Sequence, residues 1–261
     1  MGFALSILPF VGQKFSQKSQ NLMIRTYEEK LKEGGEEIPL LFEKAKNYNQ
    51  ELYETGMFLA DQTNDSVYLQ TLNVTDNGIM GSIDIPKIDV KIPIYHGTEE
   101  IELQKGAGHL KGSSFPTGGE NTRCILTGHR GLPGAKLFTR LDELKKNDKI
   151  YLHVCNHTLA YEVIKSEVIE PGDLEKLMIV PKKDLLSLVT CTPYGINTHR
   201  LVITGQRIPF DDHAYEKTRP LTGSAREWLF ILMPVIYLAV GMAALYKKLR
   251  RRRHEKNQRN L

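Results

Sequence analysis

The chain has 261 residues, 41% of them hydrophobic and 25% charged, with 12 prolines and 21 glycines, which excludes collagen-like, coiled-coil and wholly disordered classes. Its net charge of +4 is unevenly spread, because Lys247 to Leu261 carries eight Lys or Arg against the single Glu255; the rest holds 27 basic and 30 acidic residues, a net of −3. A slightly acidic body removes the main electrostatic support for nucleic-acid binding, and no nucleic-acid partner is expected.

In chain order, Met1 to Val11 is apolar, too short to span a bilayer and without a basic start. Residues 1–17 are read as the remnant of a signal or anchor whose basic start lies upstream. From Gln20 to Tyr53, apolar positions at helical spacing (Ile24, Leu31, Leu40, Leu41, Ala45) with a break at Gly34-Gly35 predict two helices joined by a glycine turn. The polar, turn-rich segment after Gly56 has no sustained period and reads as a surface connection, which closes a helical region at 18–78.

Between residues 79 and 209 the character changes. GSIDIP, VKIPIY, RCILTG, KIYLHV, TLAYEVIKSEVI, LLSLVTC and HRLVITGQRI are β-branched or alternating runs separated by Gly, Pro, Asn and Asp, as expected of strands. Only Lys136 to Lys146 looks helical. Seven or eight strands over this length predict a mainly β domain, a closed barrel or a sandwich. Residues 210–227 form a polar linker, and Trp228 to Tyr246 is nineteen residues without a charge, flanked by aromatic rings. At about 1.5 Å per residue that segment approaches the ~30 Å hydrocarbon thickness and predicts a transmembrane helix. The basic tail, 247–261, then stays in the cytoplasm and the preceding domain lies outside the cell membrane. The competing readings are a buried core helix, and a cytosolic tail-anchored protein that would have to pass eight basic charges across the membrane.

Cys124, Cys155 and Cys191 are three at wide spacing, so at least one is unpaired and no CxxC zinc or redox pattern exists. Three strand ends carry unusual chemistry: His129 follows an apolar strand in CILTGHRG, Cys191 ends another in SLVTCTPYG, and Arg200 opens a third in THRLVITGQ. A barrel delivers such ends to one rim, where Cys191 is a candidate nucleophile, His129 its proton partner and Arg200 a donor to an oxyanion. Taken singly, an apolar-strand Cys is more often an inert buried thiol, which is the reading for Cys124 and Cys155. His96, His109 and His199 are read as structural, the paired acids Glu99 and Glu100 as a solvated turn, and Thr190 and Thr192 as candidates to shape a substrate groove. No dense Asp/Glu cluster suggests calcium, and neither metal nor cofactor is expected.

LTGHRG, LVTCTPYGINTHRLVITGQR and IPKIDVKIPIYHGT resemble the signature segments of sortases, and specifically class C, the pilin-polymerising sortases of Gram-positive bacteria. The family's TLxTC pattern appears as Ser187-Leu188-Val189-Thr190-Cys191, with Ser for the first Thr. The resemblance runs from about Gly56 to Ile208 and implies an eight-stranded sortase barrel, with His129, Cys191 and Arg200 as catalytic residues. It also implies transpeptidation of an LPxTG-like sorting signal, with pilin or surface proteins as substrates and a pilin Lys as acceptor. The alternatives are anchoring to a cell-wall cross-bridge amine, and a non-catalytic assembly scaffold. Class C sortases carry a lid with an Asp-Pro-aromatic motif; here the matching stretch is Leu59-Ala60-Asp61-Gln62-Thr63, so Asp61 remains a candidate anchor while the Pro and aromatic are missing.

Overall fold

A computed structural model describes residues 2–56 and 65–218, with 237, 241–243 and 246–248. The body from Ile7 to Thr218 is one compact unit; Met1–Ser6 and Arg219–Leu261 form another. Asp61 lies outside the described residues, as does most of Trp228 to Tyr246. Among the described residues, no helix is long and apolar enough to cross a membrane.

Two long helices precede the barrel: α1 (Gly2–Glu33) and α2 (Glu37–Thr55). They break at Gly34-Gly35, as the spacing predicts, and Gly35 has φ 47°, a left-handed conformation that glycine adopts without steric cost. The buried stripe of α2 is Ile38, Phe42, Ala45, Asn49 and Leu52, a helical repeat that leaves Leu40 on the outer side. Asn49 joins this helix to the barrel: its Nδ2 donates to the Phe115 carbonyl (3.1 Å) and to Thr117 Oγ1 (2.8 Å), and its Oδ1 accepts from the Phe115 N–H (2.7 Å). Tyr27 of α1 does the same elsewhere, its hydroxyl donating to the Met80 carbonyl (3.0 Å) and accepting the Cys155 N–H (3.0 Å).

The segment expected as a surface connection is partly core. It contains α3 (Asp65–Gln70), and Tyr68 and Leu72 are buried against the barrel. Its polar composition hides two apolar anchors among Asn, Asp and Thr.

The barrel comprises β1 (Ile79–Ile85), β2 (Val90–His96), β3 (Ala107–His109), β4 (Thr122–Thr127), β5 (Lys149–Val154), β6 (His157–Ile169), β7 (Asp184–Thr192) and β8 (His199–Ile208). Their order round the closed barrel is β1-β2-β3-β4-β7-β8-β6-β5. Most neighbours are antiparallel, whereas β2 with β3 and β4 with β7 are parallel. The four-residue helix α4 (Glu100–Leu103) links β2 to β3. Three-residue β3 was invisible to a pattern search, which needs four or more positions to register alternation. Lys136 to Lys146, expected to be helical, holds only a 3-10 turn at Leu141–Glu143. Leu137, Phe138, Leu141 and Leu144 are all buried and Leu137 sits at φ 36°, so tertiary packing wraps this segment inward and prevents a regular helix. Within 210–227, Asp212–Thr218 forms α5, whose Tyr215 hydroxyl donates to the buried Asp84 carboxylate (2.7 Å).

Period-2 alternation separates two apolar groups. Cys124, Leu126, Leu186, Leu188, Leu201 and Ile203 face the interior cluster. Ile125, Val189 and Val202 point to the outer face, where Ile169, Leu177 and Leu52 of α2 pack on them.

His96 and His109 are structural, as expected. His109 is fully buried, its ring stacked on Phe115 (centroids 5.1 Å apart) and its Nε2 against the Ser114 carbonyl (2.9 Å). Burial favours the neutral imidazole and lowers its pKa from 6.5 to about 4; burial lowers His96 in the same direction. Since the unfolded chain protonates first, the stability that neutral His109 contributes is complete above pH 6.5 and is lost as pH falls from 6.5 toward 4. Denaturant midpoints across that window should decline steadily in the native sequence, with a shallower slope in His109→Gln.

Candidate active site

The site is built on the register of three neighbouring strands. In the parallel β4–β7 ladder each residue pairs with the one 62 positions later, as in Thr122↔Asp184 and Thr127↔Val189. The same offset continues past the end of β4. The Gly128 N–H donates to the Val189 carbonyl (3.1 Å), Thr190 Oγ1 donates to the Gly128 carbonyl (2.7 Å), and Arg130 Nη1 donates to Thr192 Oγ1 (3.0 Å). His129 therefore stands level with Cys191. In the antiparallel β7–β8 ladder, Cys191 is the register partner of Arg200. Cys191 continues the outer-facing series Ser187, Val189; Arg200 shares the side of Val202; His129 shares that of Ile125 and Thr127. Thiol, imidazole and guanidinium, from three separate strand ends, thus lie at one level on the outer face, next to an apolar floor.

The three thiols differ in environment. Cys124 and Cys155 are buried, and burial holds both protonated, Cys155 pushed up to about 11 and Cys124 raised well above its ordinary value. Cys191, at the strand end, is partly exposed. The sequence reading of Cys124 and Cys155 as inert is what this burial produces.

The loop after β4 is held largely by backbone. The Phe138 N–H donates to the His129 carbonyl (3.1 Å), and the Gly131 N–H donates to Thr139 Oγ1 (3.1 Å). At Gly128 a β-carbon would lie 2.7 Å from the Phe138 ring, and Gly131 takes φ 80°, so both positions require glycine. Arg130 adds a clamp, pairing with Asp142 (2.7 Å) while it donates to Thr192.

Arg200 has no carboxylate partner among the described residues. Its Nη1 donates to the carbonyls of Asn197 (3.2 Å) and His199 (3.1 Å), in the exposed β7–β8 turn that also carries Tyr194 and Ile196. His129 Nε2 meets both carboxylate oxygens of Glu100 at 3.2 and 3.1 Å. Glu99 is exposed, as expected, whereas Glu100 is more than the solvated residue expected: it opens α4 and reaches the histidine. Spacing gave no signal for a contact across 29 residues. Thr190 is buried and serves the loop, whereas Thr192 is half-exposed at the strand end. His199 is exposed beside Arg200, its Nδ1 on Thr198 Oγ1 (2.9 Å). Among the described residues, no cluster of three or more His, Cys, Asp or Glu has the arrangement of a metal site.

A half-exposed thiol at a strand end, level with an imidazole and a guanidinium on a closed barrel, is the arrangement that a cysteine nucleophile would require. Residues 83–208 match the sortase domain. The structure aligns with crystalline sortase C1 from Streptococcus agalactiae at 42% identity and TM-score 0.69, over 72% of this chain and 99% of that one. It also aligns with sortase C from Clostridium perfringens, solved with the C-terminal cell wall sorting motif, at 38% identity and TM-score 0.62, over 72% and 98%. Sortase D of Bacillus subtilis is 34% identical over 131 residues, which is 49% of this chain and 63% of that protein, so the match spans somewhat under two thirds of that relative. The chain belongs to the sortase family.

The Thr190 hydroxyl is the only side-chain bond described between β7 and the Gly128 peptide. Thr190→Val keeps the shape and removes that bond. It should leave the fold intact by circular dichroism but lower peptide turnover about tenfold, because misplacing a reacting group is costly.

Proposed function

We propose that this chain is a class C sortase, a cysteine transpeptidase that joins pilin subunits. The observation that carries this reading is the shared register level of His129, Cys191 and Arg200 on the outer face. The class C assignment draws further support from the identity to sortase C1 over nearly all of that chain.

In the proposed reaction the Cys191 thiolate attacks the Thr carbonyl of an LPxTG-like signal, forming a C–S bond. As the tetrahedral intermediate collapses, the Thr–Gly C–N bond breaks and the His129 imidazolium gives its proton to the departing amine. Arg200 donates to the oxyanion as charge develops. An incoming amine, the Lys side chain of the next pilin, then forms a new C–N bond; the C–S bond breaks, and His129 takes the amine's proton. Only the fraction of molecules holding thiolate and imidazolium together is competent, so activity follows a bell-shaped pH profile. In the cell, the barrel lies outside the membrane, anchored by a span at 228–246 with the basic tail inside.

The decisive experiment incubates the protein with an LPxTG-like fluorogenic peptide and records turnover together with intact mass. Native protein should show the thioacyl adduct. Cys191→Ala should show neither adduct nor turnover, and Arg200→Lys should keep the fold while losing about 10²- to 10³-fold in kcat/KM. Persisting turnover in Cys191→Ala would overturn the assignment. Supplying a pilin Lys and a cell-wall peptide amine in competition separates polymerisation from anchoring, since only the former builds covalent ladders.

Asp61 is the proposed anchor of a lid over the groove. Without the Pro-aromatic plug this lid holds little apolar surface. Asp61→Ala should raise peptide hydrolysis severalfold in the same assay, and an unchanged rate would remove the lid from the scheme.

A further inference from the structure

We propose that Glu100 is a positioning residue for His129, acting as the third member of a thiol–imidazole–carboxylate relay. The proposal rests on the reading of His129 and Cys191 as the acid–base pair and nucleophile.

The geometry is specific. Both Glu100 oxygens face the same ring nitrogen, Nε2, at 3.2 and 3.1 Å. A carboxylate accepts only, so this contact places an N–H on Nε2. Nδ1 has no hydrogen bond among the described residues and is the nitrogen left for the thiol or a substrate amine. Glu100 is itself held: the Gln104 side-chain amide, one helical turn on, donates to its Oε1 (3.0 Å). That amide first, and the neighbouring His129 after it, keep the Glu100 carboxyl ionised below its ordinary range. The other charged or titratable groups around His129 are Glu99 on the same connection, Cys191 on β7, Arg200 on β8, and Arg130 in its own loop. Arg130 is engaged with Thr192 and Asp142. Among these, Glu100 is the one carboxylate in contact with the imidazole among the described residues.

A carboxylate on Nε2 does two things. It fixes ring orientation and tautomer, and it favours the imidazolium over the neutral ring. In a pair whose competent form is thiolate plus imidazolium, the competent fraction rises as the imidazolium is stabilised. The acid limb of the pH profile and the height of its plateau must then move together, while the alkaline limb, set by the thiol, stays. A merely structural contact would change the height without moving the limb.

Glu100→Gln keeps the shape and removes the charge. In kcat/KM for the LPxTG-like peptide it should shift the acid limb to lower pH and lower the plateau about threefold, the size expected of a solvent-facing ion pair. The difference from native protein should shrink in 1 M salt. Glu100→Asp should recover part of the limb position. The His129 ring-proton resonance followed against pH by NMR provides a reading that needs no peptide. Its midpoint is expected to move to lower pH in Glu100→Gln along with the acid limb. An unmoved limb or an unmoved ring midpoint would overturn the proposal. If Cys191→Ala retained peptide turnover, the transpeptidase reading would fail, while the ring titration of Glu100→Gln would still decide whether Glu100 tunes the imidazole.

Discussion

The parallel pairing of β4 with β7 is the constraint on which the rest of the molecule depends. These strands lie 62 positions apart and are joined through β5 and β6, so nothing local sets their register. A slip of one residue would turn Cys191 to the interior and Thr190 to the groove. Buried polar bonds fix the register. Arg123, 5% exposed, donates through Nε to Ser187 Oγ (2.9 Å), through Nη1 to the carbonyls of Lys176 (2.8 Å) and Met178 (2.9 Å), and through Nη2 to Thr204 Oγ1 (3.3 Å). At the start of the ladder Asp184 accepts the Gly119 N–H (2.7 Å) and the Tyr161 hydroxyl (3.0 Å). Burial raises the Asp184 carboxyl while these donors pull it back. A cation satisfied by hydroxyls and carbonyls on β7, β8 and the β6–β7 connection fits one alignment only, since any other strands its donors in an apolar setting.

Once the register is set, alternation divides the labour between faces. The interior takes leucine, isoleucine and Cys124, which burial keeps protonated. The outer face carries the smaller apolar group around Ile125, Val189 and Val202, covered on one side by α2 and Leu177. Where that cover ends, the next outward positions are His129, Cys191 and Arg200. Accessibility of the thiols follows from that alternation: Cys124, facing inward on the neighbouring strand β4, is buried, whereas Cys191, facing outward at the rim, is partly exposed.

Much of this was legible in the chain because strands with β-branched alternation and glycine or proline breaks announce themselves locally. The three candidate site residues stood at the ends of such strands, so the barrel inference was enough to place them on one rim. What escaped were features whose cause is tertiary. β3 is too short to show a period; α3 and the turn after it have only Tyr68 and Leu72 as apolar anchors; and 136–146 carries a helical pattern that packing of Leu137, Phe138, Leu141 and Leu144 overrides. Glu100 escaped for the same reason. An acidic pair opening a short helix is usually solvated, and nothing in its neighbourhood points to a histidine 29 residues away.

The three groups are held with unequal firmness, and the inequality matches what the proposed reaction asks of each. Cys191 is a ladder residue, with β8 on one side and the extended β4 register on the other. His129 is fixed at its backbone by Phe138, yet among the described residues its ring is held only by the exposed Glu100. Arg200 leans on carbonyls of its own turn, Asn197 and His199, bonds it can exchange for an oxyanion without disturbing a strand. A nucleophile that attacks one carbon gains from rigidity. An acid–base group that serves first a leaving amine and then an arriving one needs a ring free to adjust about a fixed backbone. The extended β4–β7 register supplies both conditions, because it continues in main-chain bonds to Gly128 while leaving the side chain of the next residue outside the ladder.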